Sequence, residues 1–456
     1  MGKIPAGDSP SSSPRRGWLS KKWTPLIVVG LVLAIGVEAY WVYGWFRVQW
    51  LIDQAHERAD LMDYPGAEQL LLQADALRPQ SPNIYLELAA LRRLTGNTRE
   101  FESWIENAES AGASEEDVLR EILLMRTQVG HIDSESEEFQ KLLAVGELSD
   151  RYAAEVYYAM VKGYLASYQV LRAEDAVNSW LNWRPDSVQA RFLRGNIRYR
   201  FGQIDQAITD YRFVLEHSPD NAEAHLLLGL LLNESGRVEE AYEHFDRSLE
   251  LQPDSAETQL ELAYCAKQLG YEERAKELAE ALLKTDDPPR RAKAMELLAK
   301  LAIEGEEYER ARELLEQAFR TAPPNGELCH MMGTVLSLTG DTERAQVFMD
   351  QAAGFRDRHD RIQDLTKQLI DEPDRDDLRL EVAELMFRDG QEEPGAMWLL
   401  TILKNNPDHL PSHRLLAAYY QRIGQPQVAA VHRKKAAELA EAADSTSSGG
   451  EGSDGS

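Results

Sequence analysis

Between Val188 and Thr285 small residues return every thirty-four positions, and no other feature restricts the fold so tightly. Gly195, Gly229 and Ala263 form one series, Gly202, Gly236 and Gly270 a second, and Ala207, Ala241 and Ala275 a third. Tyr211 and Phe245 each stand four residues after the Ala, and Pro219 and Pro253 close two successive units. Each position has a steric reason. The first small residue lets two antiparallel helices approach, and the second-series Gly ends the first helix in a left-handed conformation. The Ala lets the second helix pack closely, the aromatic fills the gap behind it, and the Pro stops the helix. Apolar residues recur at three and four spacing in both halves of a unit, as in "AHLLLGLLLNESGRVEEAYEHFDRSLEL". One such helix pair cannot bury its apolar face alone, so the units must stack.

The same phasing extends outward. Ala55, Ala67, Leu71, Ala74 and Pro79 fit a first unit, Ala89 and Gly96 a second, Gly130 and Phe139 a poor third, and Ala173 and Pro185 a fourth. Beyond the centre, Ala299, Ala311, Leu315, Ala318 and Pro323 fit one unit and Gly333, Gly340, Ala345 and Ala352 the next. Ala383, Gly390, Ile402 and Pro407, then Ala417, Tyr420, Gly424, Ala429 and Ala436, complete about eleven units. The segment "DRHDRIQDLTKQLIDEP" interrupts the array and reads as an extra charged helix at a seam. In the last unit Arg433 fills a slot that is apolar elsewhere, as a solubilising terminal face would.

The pattern "LLLGLLL" followed by "GRVEEAYEHFDRSLELQPD" resembles the tetratricopeptide repeat family. The resemblance implies an all-α, right-handed superhelical α-solenoid of helix pairs, with a groove walled by the first helix of each unit. By the family pattern the groove side chains are Tyr158, Lys162, Phe192, Asn196, Tyr199, Arg200, Leu226, Leu230, Asn233, Leu260, Tyr264 and Lys267. They suit a peptide with apolar anchors, or else pack on neighbouring helices. A family subtype grips a terminal carboxylate with bases and asparagines. Here the corresponding positions hold Phe192, Asn196, Leu227, Glu257 and Glu261, which excludes that ligand in this window.

Ahead of the repeats lies "TPLIVVGLVLAIGVEAYWVYGWF", apolar from Pro25 to Phe46 except for Glu38. As a helix it is about 33 Å long, enough to cross a hydrocarbon core of about 30 Å. Trp18 and Trp23 precede it, and Trp41, Tyr43, Trp45 and Trp50 follow at its end. The sequence therefore predicts a retained transmembrane helix over 24–46, with the basic N-terminus cytoplasmic and the repeats extracytoplasmic, periplasmic in a bacterium. Arg15-Arg16 reads as a basic flank or as an export signal. Gly30, Ala34 and Glu38 share one face, which predicts either a helix contact and self-association in the membrane or a carboxylate reaching interfacial water.

Residues 1–25 carry a net charge of +4, so with −27 for all 456 residues the remainder carries −31. A body this acidic repels phosphates and argues against nucleic acid as a partner. Cys265 and Cys329 are the only cysteines and read as small core residues. The chain has no HExxH, Walker loop, GxSxG or dinucleotide fingerprint. His409 and His413, and the Cys329-His330 pair, read as caps, surface or packing rather than metal ligands. No metal or cofactor is implied. His413, Arg414, Arg422, His432, Arg433, Lys434 and Lys435 form a basic end, read as helix-end charge or as a docking face for an acidic partner.

The domain reading is a disordered basic segment 1–23, the transmembrane helix 24–46, and degenerate repeats 47–147. A central array 148–356, a charged insert 357–375, C-terminal repeats 376–440 and a disordered acidic tail 441–456 follow. The expected function is a non-catalytic, membrane-anchored scaffold that binds proteins or peptides in its groove and helps assemble an envelope or membrane complex. The alternative is a non-catalytic subunit presenting substrates to a membrane enzyme or secretion system.

Overall fold

The computed structural model describes the backbone of residues 24–130, 150–166, 170–372 and 374–448. Side chains are described from Val42 onward within these ranges, apart from residues 150, 171, 370, 371, 404, 405 and 443–448. Among the described residues every regular element is an α-helix. Helices of about four turns alternate with short turns in antiparallel pairs: Pro82–Leu94 with Thr98–Ser110, Ala222–Glu234 with Val238–Leu251, and Ala256–Gln268 with Glu272–Leu282. Pro288–Glu304 pairs with Tyr308–Thr321, Gly326–Leu338 with Thr342–Asp371, Asp376–Arg388 with Glu392–Asn405, and Leu410–Arg422 with Pro426–Ser448. The fold is thus all-α, a solenoid of paired helices.

Local chemistry sets the helix ends. Asn221 and Asn325 accept hydrogen bonds from the amides of Ala224 (2.8 Å) and Leu328 (2.7 Å), which fills orphan donors of the first turn. At the other end Gly236 sits at φ 74°, and the Arg237 amide donates back to the Leu232 carbonyl at 2.8 Å. Glu306 occupies the equivalent turn at φ 60° without that freedom. Between the paired helices the small-to-large spacing does what the repeat demands. A Cβ on Gly229 would meet the Phe245 ring at 2.7 Å, and one on Gly195 would meet Tyr211 at 3.0 Å. Phe245 and Tyr211 are fully buried, each contributing about 2–3 kcal/mol of apolar burial.

The chain divides into two compact units. The first takes residues up to 167 together with 175–190; the second takes 168–174 and 191 onward. In the first, Val48, Leu51, Ile52 and Ala55 pack with Ala67, Leu71 and Ala74 and with Ile84, Leu88 and Leu91. In the second, the last repeats centre on Leu399, Ile402, Leu416, Tyr419 and Tyr420. The segment expected as a charged insert continues the second helix of its pair, which runs unbroken from Thr342 to Asp371. Ile362, Leu365 and Leu369 on that extension pack against Leu378 and Val382 of the next helix. Arg433 is exposed, and the terminal helix runs through 441 to Ser448. Phe139 lies outside the described residues.

The membrane anchor requires correction. Among the described residues no helix is long and apolar enough to cross a membrane. Residues 24–46 open a single helix, Thr24–Asp60, whose later half is the first helix of the first repeat. The apolar stripe from Val48 to Ala55 is committed to a protein core, while Arg47, Asp53, Glu57, Arg58 and Asp60 occupy the remaining faces. The expected transmembrane helix, the cytoplasmic N-terminus with extracytoplasmic repeats, and partnering or self-association through the membrane fall together. The side chains of Gly30, Ala34 and Glu38, where a helix contact was expected, lie outside those described.

Candidate functional site

In the first unit four helices wall a cleft of about 550 Å³. Asp53 and His56 reach it from Thr24–Asp60, and Glu87 from Pro82–Leu94. Asp117, Arg120 and Glu121 come from Glu115–Gln128, and Arg151 and Glu155 from Asp150–Ala166. One wall is tied through a fully buried arginine. Arg93 Nε donates to Glu121 Oε2 at 3.1 Å and Nη2 to Glu155 Oε2 at 2.8 Å, while Gln128 Nε2 donates to the Arg93 carbonyl at 2.7 Å. Arg151 grips both oxygens of Glu87, one of them at 2.9 Å through Nη1, and lies 3.2 Å from Glu155. His56 Nε2 stands 2.9 Å from Glu87.

These charges are unequally satisfied. Burial pushes the Glu87 carboxyl up, but Arg151 and the His56 hydrogen bond overcome it and hold Glu87 at about 2. Burial pushes Glu121 up to about 7; Arg93 opposes this and the neighbouring Glu155 carboxylate adds to it. Two carboxylates share one guanidinium, and Glu121 bears the shortfall. Burial also raises Asp60 against the pull of Arg184. Five carboxylates line the cleft against two arginines and one imidazole, so its wall is acidic.

The groove residues read from the sequence are placed unevenly. Tyr158 is buried in the first unit, and its hydroxyl donates to the Leu94 carbonyl at 3.3 Å; Lys162 is half-buried. In the second unit Phe192 packs edge-to-face on Tyr211, ring centres 5.7 Å apart, and the Tyr211 hydroxyl donates to Asn196 Oδ1 at 2.5 Å. Phe192, Asn196 and the buried Leu260 are therefore engaged inside the repeats. Leu226, Leu230, Asn233, Tyr199, Tyr264 and Lys267 are half-buried, and Arg200 is exposed. The Tyr264 hydroxyl reaches the Lys293 carbonyl at 3.4 Å, and Lys267 pairs with Glu304 at 2.8 Å.

Sequence reasoning named Glu261 among the groove positions but missed Glu234 and Glu296 beside these residues. Burial, then Glu234 and Glu261, raise Tyr199. Burial raises Glu261 against Lys293, and raises Glu296 against a hydrogen bond from Asn325. The hints in the sequence were the overall acidic charge and the acids Glu257 and Glu261 at groove positions. Cys265 and Cys329 are buried, and burial pushes the Cys265 thiol up to about 11, which makes it a poor nucleophile. His409 is a helix cap whose Nδ1 accepts from the Ser412 amide at 3.3 Å. Among the described residues no group of three or more His, Cys, Asp or Glu is placed to hold a metal. The basic C-terminal end is largely matched internally. Lys435 pairs with Asp408 and Arg422 with Glu392, both at 2.8 Å, and Arg433 donates to Gln421 at 3.1 Å.

Residues 192–256 match one tetratricopeptide repeat family model, and residues 232–301 and 302–369 match a second. No curated protein matches the chain. Among solved structures, Pseudomonas aeruginosa pilF is 22% identical over 43% of this chain and 88% of its own, with a TM-score of 0.38. MamA of Desulfovibrio magneticus is 18% identical over 37% of this chain and 94% of its own, TM-score 0.34. A tetratricopeptide repeat protein of Parabacteroides merdae is 17% identical over 68% and 93%, TM-score 0.33. At these identities and scores nothing that those proteins do carries over. Repeats of the matched kind supply extended binding surfaces, and the expectation that the chain is not an enzyme holds.

Proposed function

We propose that the chain is a non-catalytic adaptor that holds basic segments of other proteins on the first-helix faces of its repeats. The supporting observation is the cleft of the first unit, where Asp53, Glu87, Asp117, Glu121 and Glu155 face Arg120, Arg151 and His56. A guest arginine or lysine entering there meets Glu121, which shares its only arginine with Glu155. Such a guest relieves an existing electrostatic shortfall, whereas a guest carboxylate aggravates it. On the second unit the half-buried Tyr199, Leu226, Leu230 and Tyr264 stand among Glu234, Glu261 and Glu296, which suits the same class of partner: apolar anchors interleaved with bases.

The test is fluorescence polarisation with the full chain and two labelled peptides of matched Leu spacing, one carrying Arg and the other Glu. The Arg peptide is expected to bind at least about tenfold more tightly, with affinity falling as salt rises. Asp53→Lys together with Asp117→Lys is expected to abolish that preference. Equal binding of both peptides, or an unchanged preference in the double variant, would refute the assignment.

A further inference from the structure

The second unit contains the same histidine device twice. His225 and His244, nineteen residues apart on the two helices of one pair, face each other Nδ1 to Nδ1 at 2.9 Å; His413 and His432 do the same, also nineteen apart and at 2.9 Å. In each case the other ring nitrogen of the first histidine reaches the carbonyl of the proline six residues earlier: Pro219 at 3.0 Å, Pro407 at 2.9 Å. A second tie flanks each pair. Arg247, three residues beyond His244, binds Asp220 at 2.6 Å; Lys435, three beyond His432, binds Asp408 at 2.8 Å. Five residue positions recur at the same offsets with the same partners.

The hydrogens follow from the partners. A carbonyl only accepts, so Nε2 of the first histidine carries a hydrogen. Its neutral ring then offers a lone pair at Nδ1, and the opposing Nδ1 donates the hydrogen that fills the gap. One added proton goes to the remaining lone pair, Nε2 of the second histidine, and leaves that bond and its direction intact. A second added proton sets N–H against N–H between two cations, and the contact cannot survive.

We propose that these pairs are acid-operated clasps, each closing its helix pair while it holds at most one extra proton and opening when a second arrives. The surroundings favour the closed state near neutrality. Burial lowers His225, with Arg247 adding to it and Asp220 and the Pro219 hydrogen bond opposing. Burial, His225, Arg212 and Arg237 bring His244 down to about 4 against Glu240. Burial and His413 bring His432 to about 4, with the Tyr420 ring stacked on it at 5.6 Å and Asp408 and Lys435 beside the pair. Opening the first clasp unpins the helix Ala222–Glu234 beside Phe245, the residue that follows His244 and fills the notch at Gly229.

The full chain labelled with 15N-histidine tests this by NMR. Two Nδ1–Nδ1 couplings, one across each hydrogen bond, are expected at pH 7.5, both vanishing as the pH falls toward 4. Over the same range, amides of 222–234 and 410–422 are expected to exchange about tenfold faster after correction for intrinsic rates. His244→Asn and His432→Asn keep an amide donor near the Nδ1 position without a titrating ring, and are expected to remove the acid response while preserving protection at pH 7.5. Absent couplings at pH 7.5, or four rings titrating independently near 6.5, would overturn the proposal without any variant. So would an acid response that persists in well-folded variants.

Discussion

The two units bury a charge in opposite ways. The first encloses Arg93 between Glu121 and Glu155; the second encloses Asp210, fully buried, among Arg191, Arg194 and Arg198 at 3.3, 2.6 and 2.6 Å. In the first the surplus charge is carboxylate, which can take up a proton, and Glu121 is pushed up to about 7. In the second the surplus is guanidinium, which keeps its proton at any accessible pH. Those arginines reach water instead, their side chains 15 to 26% exposed. A buried ion with titratable partners makes a pH-dependent wall; one with arginine partners makes a permanent strut.

That contrast can be broken most forcefully at Arg93. Arg93→Met leaves Glu121 unpaired in the interior and Glu155 with Arg151 alone, and is expected to destabilise the chain by about 3–5 kcal/mol in urea unfolding. Asp210→Asn removes the central carboxylate, but its arginines can turn outward, so a smaller loss of about 2 kcal/mol is expected from the same measurement. Equal losses would show that solvent access of the surplus partners is unimportant. Gly229→Ala drives a methyl group into the Phe245 ring and is expected to cost about 1–2 kcal/mol, more than Gly195→Ala, where the approach to Tyr211 is looser.

The smallest effect at neutral pH is the one that sharpens the comparison. Folded Glu121 keeps its proton up to about pH 7, while its ordinary value is 4.5. Between those limits the folded chain binds the extra proton, so this group's contribution is complete below 4.5 and is lost as pH rises through 7. Glu121→Gln should flatten that fall. The lowered histidines of the second unit have the opposite sign, with stability lost as pH drops from 6.5 toward 4. Unfolding midpoints from pH 4 to 8 for the native chain, Glu121→Gln and His244→Asn would separate the two slopes.

The central repeats were legible because their markers answer local steric demands. Gly229 must be small where Phe245 enters, and Gly236 must turn left-handed, and both constraints lie within one unit. The first unit was far less legible, since Phe101, packed at 5% exposure, stands at the repeat position that holds Ala67, Ala207 and Ala241 elsewhere. Its cleft was hidden altogether: Arg151 meets Glu87 across sixty-four residues, and no spacing in the chain announces it. The sequence drew attention to His409 and His413 on one helix, whereas the partner of His413 is His432 on the next. The apolar run before the repeats read as a membrane span because hydropathy counts residues without knowing which helix they continue.

The notch-and-ring contacts at Gly195, Gly229 and Gly333, the last filled by Met349, also act as keys. A bulky side chain seated in a gap one residue wide cannot slide along its neighbour, so each of these hairpins indexes itself without reference to the rest of the chain. Whole modules can then be gained or lost in evolution while those on either side keep their alignment.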